Sequence, residues 1–385
     1  MLNLFQHLGR SRNKFGMTIS KPMIKKTFLL GSLFSSLLLL GAGCINLGGS
    51  TATGPMGMYR SLDKGDTWQQ ANVYPTVQGV KSLGGVKAYR LFTDPSDPNA
   101  LYLATRGQGL FYTYDKGDSW QVATAMNGKF IYALAVDPKN KCTILASDGG
   151  HIYKSTDCSR SWSLAYNNDQ ADNRVVALAY DFGNSKNIYA GLLGGEVLLS
   201  TDGGTGWKVI KNFKKGTALQ VLVTDPLTPG RLYAASTQDG LARSDDGGAT
   251  WINLNEGLNN FNDSLNFYRL VLHPSEKGII FWVSKYGILR SNDAGKTWTD
   301  LKLLTPPGSV NIYAFAISPS NPKEMYYVGT ILQDKGASRS TFYKSVDGGN
   351  SWVTKKLPTN TIPVTLLIHP TDTKTLFMGF TVPEK

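Results

Sequence analysis

An eight-residue pattern, Ser/Thr-x-Asp-x-Gly-x-Ser/Thr-Trp, recurs seven times along this 385-residue chain. Five copies are complete: SLDKGDTW at 61–68, TYDKGDSW at 113–120, SDDGGATW at 244–251, SNDAGKTW at 291–298 and SVDGGNSW at 345–352. Two are degenerate. STDCSRSW at 155–162 has Ser159 in place of the Gly, and STDGGTGW at 200–207 has Gly206 in place of the second hydroxyl residue. Successive copies start 52, 42, 45, 44, 47 and 54 residues apart. A period of that length means a repeat architecture, in which each unit buries its apolar faces against its neighbours.

A second marker runs out of phase with the first. Apolar segments ending in a turn and followed by a short strand occur as LFTDPSDPNALYLAT (91–105), LAVDPKNKCTILAS (134–147), LAYDFGNSKNIYAGL (178–192) and LVTDPLTPGRLYAAS (222–236). LVLHPSEKGIIFWVS (270–284), FAISPSNPKEMYYVGT (315–330) and LLIHPTDTKTLFMGF (366–380) complete the set. Each unit therefore reads strand A, turn, strand B, Gly-containing turn, strand C, Asp-containing turn and a Trp-led strand D. Four short strands per unit of about 45 residues predict an all-β fold, a seven-bladed β-propeller of four-stranded antiparallel blades. The phase predicts its closure. The first Asp-containing turn has no A and B strands before it, and Val364–Phe380 supplies A and B strands with no C and D after them. The N-terminal C and D strands should complete the C-terminal blade and leave no open sheet edge between the ends.

The seven boxes resemble the Asp-box repeat of bacterial neuraminidases. With the A/B pattern they resemble the propellers of sortilin-type receptors, xyloglucanases and the photosystem II assembly factor family, from Gly57 to about Phe380. The resemblance implies the fold strongly and an activity poorly, because these relatives do unrelated things.

Repetition argues that Asp63, Asp115, Asp157, Asp202, Asp246, Asp293 and Asp347 are structural, since an active site needs one unique constellation. Each carboxylate can accept loop N–H groups as in an Asx turn, the Gly supplies φ > 0, and the Trp packs between blades with its N–H on a carbonyl. Cys142 and Cys158 fall on strand B and the Asp-containing turn of one unit and form the expected disulfide. Closing a loop of roughly 16 residues in this way stabilises by about 3 kcal/mol. His273 and His369 take the Asp slot before Pro in two A–B turns, which suggests a turn role. The scattered His and Cys give no metal-ligand spacing, and neither metal nor cofactor is expected.

Recognition should sit on the D–A and B–C loops, opposite the boxes. One equivalent position at the start of strand A holds Tyr89, Tyr132, Val176, Gln220, Tyr268, Tyr313 and Val364, and Arg90 and Arg269 follow two of the tyrosines. Tyr89, Arg90, Tyr132, Tyr268, Arg269 and Tyr313 are the candidate ligand face, walled by 69–87, 255–267 and 333–339. If so, replacing both arginines should abolish binding and leave stability intact.

The chain opens with a segment like an export signal. Lys25 and Lys26 precede the uncharged stretch Phe28–Leu40, which is followed by Gly41, Ala42, Gly43 and Cys44. The apolar run is short for a spanning helix. It resembles a bacterial lipoprotein signal over 1–43, which implies acylation of Cys44, although Gly41 stands where that signal normally has Leu. Residues 44–57 read as a flexible tether to a propeller over 58–385. Without residues 1–43, which hold six Lys or Arg and no acidic residue, the net charge falls from +12 to +6. That charge is ordinary for solubility, and no basic and aromatic groove for nucleic acid is present. The expectation is a monomeric extracytoplasmic binding or scaffold propeller, lipid-anchored, recognising an envelope protein, peptide or glycan. The alternatives are an assembly factor for membrane proteins and a glycoside hydrolase. No sialidase Arg-Ile-Pro motif accompanies the boxes, and Asp148 with Asp239 is the carboxylate pair a hydrolase could use.

Overall fold

A computed structural model of the chain describes residues 54–382, apart from 171, 214–217, 237–238 and 333–337. Cys44, the export-signal segment and residues 333–337 of the 333–339 loop lie outside the described residues. Seven four-stranded antiparallel sheets form the propeller. Blade 1 takes strands A to D from Ala88–Thr93, Leu101–Thr105, Leu110–Thr113 and Gln121–Val122. Blades 2 to 6 repeat the order, their A strands being Ala133–Asp137, Val175–Tyr180, Leu219–Thr224, Phe267–Leu272 and Asn311–Ile317. Blade 7 joins the two ends of the chain. Gln69–Gln70 and Gly57–Ser61 pair in order with Leu376–Thr381 and Ile362–Ile368. Met58 lies opposite Gly379 and Arg60 opposite Phe377, so the closing seam is a full antiparallel ladder.

Alternation along strand B explains why these strands are buried throughout. Leu101 and Leu103 pack toward blade 7 with Met58, Phe377 and Trp120, whereas Tyr102 and Ala104 pack toward blade 2 with Leu134, Val136 and Ile144. Each blade thus has two apolar faces, and the core is a set of inter-blade layers rather than one centre.

The Asp boxes are the pins of this ring. In every copy the first Ser/Thr hydroxyl donates to the Asp carboxylate at 2.6–2.9 Å. The same oxygen accepts the N–H at the Gly position at 2.8–3.1 Å. The carboxylate also accepts the N–H four residues on. In the six copies that have the second hydroxyl, that group donates to it as well, at 2.5–2.6 Å. These bonds favour the ionised form. Hydrogen bonds from Thr67, Ser161, Thr250 and Ser351 lead in holding Asp63, Asp157, Asp246 and Asp347 down at about 2.

Two consecutive residues, not the Gly alone, adopt the left-handed conformation. The position before the Gly has φ between 57° and 83° in all seven boxes and is occupied by Lys64, Lys116, Cys158, Gly203, Gly247, Ala294 and Gly348. Its N–H donates to a carbonyl at the same blade's A–B turn, or in blade 2 to that of Cys142 on strand B, and in five boxes its own carbonyl faces the preceding blade. Arg60, Tyr114, Lys154, Tyr189 and Arg243 each donate to that carbonyl across a blade junction. The Trp N–H groups are less uniform than the sequence suggested. Trp120, Trp162, Trp207 and Trp251 reach carbonyls, while those of Trp68, Trp298 and Trp352 are buried without an acceptor.

Cys142 and Cys158 are disulfide-bonded and tie the start of strand B in blade 2 to its box. His273 Nδ1 accepts the N–H groups of Ser275 and Glu276, as Asp94 does for Ser96 and Asp97, and His369 does the same for Thr371 and Asp372. Burial holds both imidazoles below their ordinary pKa, which suits a neutral acceptor.

Candidate ligand site at the mouth of the central channel

The site begins with a backbone irregularity. In six blades the pairing of strands A and B skips one residue at the start of strand A, between Ala88 and Arg90, Val175 and Ala177, Leu219 and Val221, Phe267 and Arg269, Ile312 and Ala314, and Pro363 and Thr365. The skipped residues are Tyr89, Val176, Gln220, Tyr268, Tyr313 and Val364. Tyr132, the seventh member of the set, immediately precedes the first residue of strand A in blade 2. A bulge frees a residue from the ladder and re-aims it. Here six bulged residues, with Tyr132 beside them, line the channel mouth.

Two arginines then satisfy the backbone freed by the bulges. Arg90, in blade 1, donates to the carbonyls of Tyr132, Val176 and Gln220 in blades 2, 3 and 4, at 3.3–3.4 Å. Arg269, in blade 5, donates to Tyr313 and Val364 in blades 6 and 7, at 2.8 and 2.9 Å. The five acceptors are the members of the set that do not themselves precede an arginine. Arg90 thus ties blades 1 to 4 together and Arg269 ties blades 5 to 7. Both are partly committed to the backbone of neighbouring blades, so removing them carries a structural cost as well as any cost in binding.

Above this plug lies an open cavity of about 390 Å³ lined by Arg90, Arg106, Arg174 and Arg269, by Tyr89, Tyr132, Tyr268 and Tyr313, and by no Asp or Glu among the described residues. The rings are half-buried and ordered against one another. Tyr89 meets Phe130 edge-on at 4.9 Å, Phe130 stacks on Tyr132 at 4.3 Å, and Tyr268 packs on Tyr313 at 5.9 Å while its hydroxyl donates to Asn311. Arg106 lies over Tyr89 at 5.6 Å and Arg174 over Tyr132 at 5.7 Å. These cation–π contacts orient the guanidinium planes. All six residues read from the sequence as a ligand face are brought together here. Arg106 and Arg174 were missed. Arg106 opens a B–C turn and Arg174 directly precedes strand A of blade 3, and that adjacency was the only signal for either.

The carboxylates considered for hydrolysis are placed differently. Asp148 accepts from the Lys129 ammonium at 2.6 Å and the Tyr153 hydroxyl at 3.1 Å, with His151 Nδ1 at 3.2 Å. Burial raises its pKa, but the Lys129 and His151 contacts outweigh that and keep it below the usual carboxylate range. A general acid needs the opposite shift. Asp239 lies at the B–C turn of blade 4, where its carbonyl accepts from Asn255.

The family described as "Sortilin, neurotensin receptor 3" matches residues 57–187. Xyloglucanase Xgh74A of Acetivibrio thermocellus is 25% identical over 276 residues, covering 63% of this chain and 28% of that protein. A Paenibacillus xyloglucanase is 26% identical over 259 residues, covering 62% and 23%. The chain thus spans about a quarter of the length of these relatives. Among solved structures, the GH74 xyloglucanase from Xanthomonas campestris superposes with a TM-score of 0.61 at 17% identity, over 84% of this chain and 52% of that one. YCF48 bound to D1 peptide superposes at 0.56 and 17% identity, over 77% and 94%. The chain is a seven-bladed propeller of the kind these sortilin-, xyloglucanase- and YCF48-like proteins share.

Proposed function

We propose that this chain is an extracytoplasmic binding or scaffold protein, tethered to a membrane through lipid on Cys44, whose channel mouth takes an acidic segment of a peptide or protein. One observation carries the reading: four arginines and four tyrosines converge on a single cavity whose described lining holds no carboxylate. Such a mouth attracts negative charge, and its half-buried tyrosines offer flat apolar area at low conformational cost. That YCF48, of like fold and length, was solved with a peptide bound supports a peptide over a sugar.

The test is calorimetric titration of acidic, aromatic-containing peptides against the same peptides with Gln and Lys in place of the acids. Acidic peptides should bind at least tenfold more tightly, and Arg106→Ala with Arg174→Ala should remove that preference. Equal affinity for both peptide sets sinks the reading. Likeness to YCF48 favours, within this class, a role in assembling a membrane protein. The xyloglucanase relatives favour a second reading, glycoside hydrolysis. Release of sugars from a xyloglucan and glycan panel, lost on Asp148→Asn, would establish it.

A further inference from the structure

The arginine plug holds two cations and no carboxylate among the described residues that line it. Arg90 and Arg269 line both the mouth cavity and a chamber of about 360 Å³ beneath it, whose walls come from the A strands of blades 1 to 5 and include no carboxylate among the described residues. Neither guanidinium has used all its donors. Arg269 makes two hydrogen bonds through Nη2, and its Nε is buried with no partner. Arg90 makes three, all at 3.3–3.4 Å, beyond the usual range for N–H···O and therefore weak. Its guanidinium also lies over the Tyr89 ring at 5.1 Å, which leaves its N–H edges to the channel. Burial and then the charge of Arg90 bring Arg269 down to about 10, so Arg269 stays cationic at neutral pH, and the two guanidinium groups repel each other. Like charges held together out of bulk water are costly unless an anion joins them. The backbone carbonyls that surround them are acceptors and satisfy donors without cancelling charge.

We propose that a dianionic oxyanion of phosphate size binds in the channel between Arg90 and Arg269, taking the Arg269 Nε–H and the weakly held N–H groups of Arg90. Charge sets the class: two guanidinium groups match a phosphate, a sulfate or a phosphomonoester, and their planar forks suit its oxygens. The oxyanion belongs to the plug and does not depend on the peptide reading of the mouth.

The full chain is titrated with inorganic phosphate at constant ionic strength, by calorimetry and by melting. Saturable uptake of one phosphate per chain is expected, with a melting midpoint that climbs as phosphate rises. Arg269→Gln should weaken uptake at least tenfold; Arg90→Gln reads the same contact should that variant not fold. Lack of saturable uptake by the unaltered protein overturns the proposal whatever the variants do. So does uptake that survives Arg269→Gln and Arg90→Gln but is lost in Arg106→Ala with Arg174→Ala, because the ion would then belong to the mouth. A phenyl phosphate arm separates the sources. Tighter binding than inorganic phosphate marks a phosphoryl group carried by a larger ligand, and weaker binding marks a free ion.

Discussion

The two faces of the disc treat repetition in opposite ways. On the box face, seven copies of one hydrogen-bond set are laid down with hardly a variation, and the hydroxyl, carboxylate and backbone groups of that set are spent on the box's own turn. At the channel mouth the backbone is equally regular, with a bulge at the start of strand A in blade after blade, but the side chains differ: Tyr, Tyr, Val, Gln, Tyr, Tyr and Val, with arginines after two of them. Regular side chains on a regular backbone make a ring. Irregular side chains on a regular backbone make a site. Symmetric repetition cannot distinguish one ligand orientation from another, so recognition has to come from where the symmetry is broken.

The largest test of the box face removes its closing blade. Deleting 57–70 takes strands C and D from blade 7, exposes the Leu376–Thr381 edge and strips Met58 and Tyr59 from two inter-blade layers. The whole propeller should then lose its cooperative melting transition, not one blade of it. A truncated chain that melts like the parent would mean that the ring is held by the other junctions alone.

Next in size is acid. The box carboxylates have folded-state pKa values lowered by their hydrogen bonds, to about 2 in Asp63, Asp157, Asp246 and Asp347. In the unfolded chain they return to about 3.9. Groups depressed on folding contribute stability that is complete above the unfolded value and is lost as pH falls through the folded one. Denaturant midpoints should therefore hold steady down to pH ~4 and drop steeply from there to pH ~2. The mouth, whose charges are arginines, should not change over that window. A flat midpoint between pH 4 and 2.5 would show that the carboxylates do not carry the boxes.

At the mouth the comparison sharpens to two pairs of arginines. Arg90→Ala with Arg269→Ala leaves five inter-blade carbonyls to water and should cost about 1–3 kcal/mol of stability. Arg106→Ala with Arg174→Ala removes side chains that bridge no two of the channel-mouth carbonyls and should cost less, about 1 kcal/mol or below, while weakening acidic peptides tenfold. Equal melting losses in the two doubles would erase the distinction between plug and rim.

What the sequence revealed follows the range of the interactions. The boxes were legible because hydroxyl, Asp, Gly and Trp act on one another within eight residues, and ring closure was legible because the two markers run out of phase. The bulges were not. Whether Tyr89 or Gln220 is skipped depends on its register with strand B, which local composition does not encode. The fate of Arg90 was hidden for the same reason: its partners at Tyr132, Val176 and Gln220 lie 42, 86 and 130 residues away. The second left-handed position in each box escaped notice because Lys64, Lys116, Cys158 and Ala294 carry no glycine to announce it.

The smallest prediction concerns the box that departs from its siblings. Ser159 replaces the Gly and follows Cys158, so two side-chain-bearing residues in succession hold φ of 60° and 69°. A left-handed L-residue costs roughly 1 kcal/mol relative to Gly, and the bonds that hold Ser159 in place, its N–H on Ser155 Oγ and the Cys142–Cys158 bridge beside it, do not need its side chain. Ser159→Gly should therefore stabilise, by about 0.5–1 kcal/mol once the extra freedom of the unfolded glycine is subtracted. The gain should grow when Cys142 and Cys158 are both replaced by Ser, because the turn then lacks the covalent tie that enforces its conformation. Chemical denaturation of the four proteins in that cycle reads the coupling directly. If Ser159→Gly destabilises in both backgrounds, the serine is wanted for a contact of its own, and the disulfide is not compensating for a missing glycine.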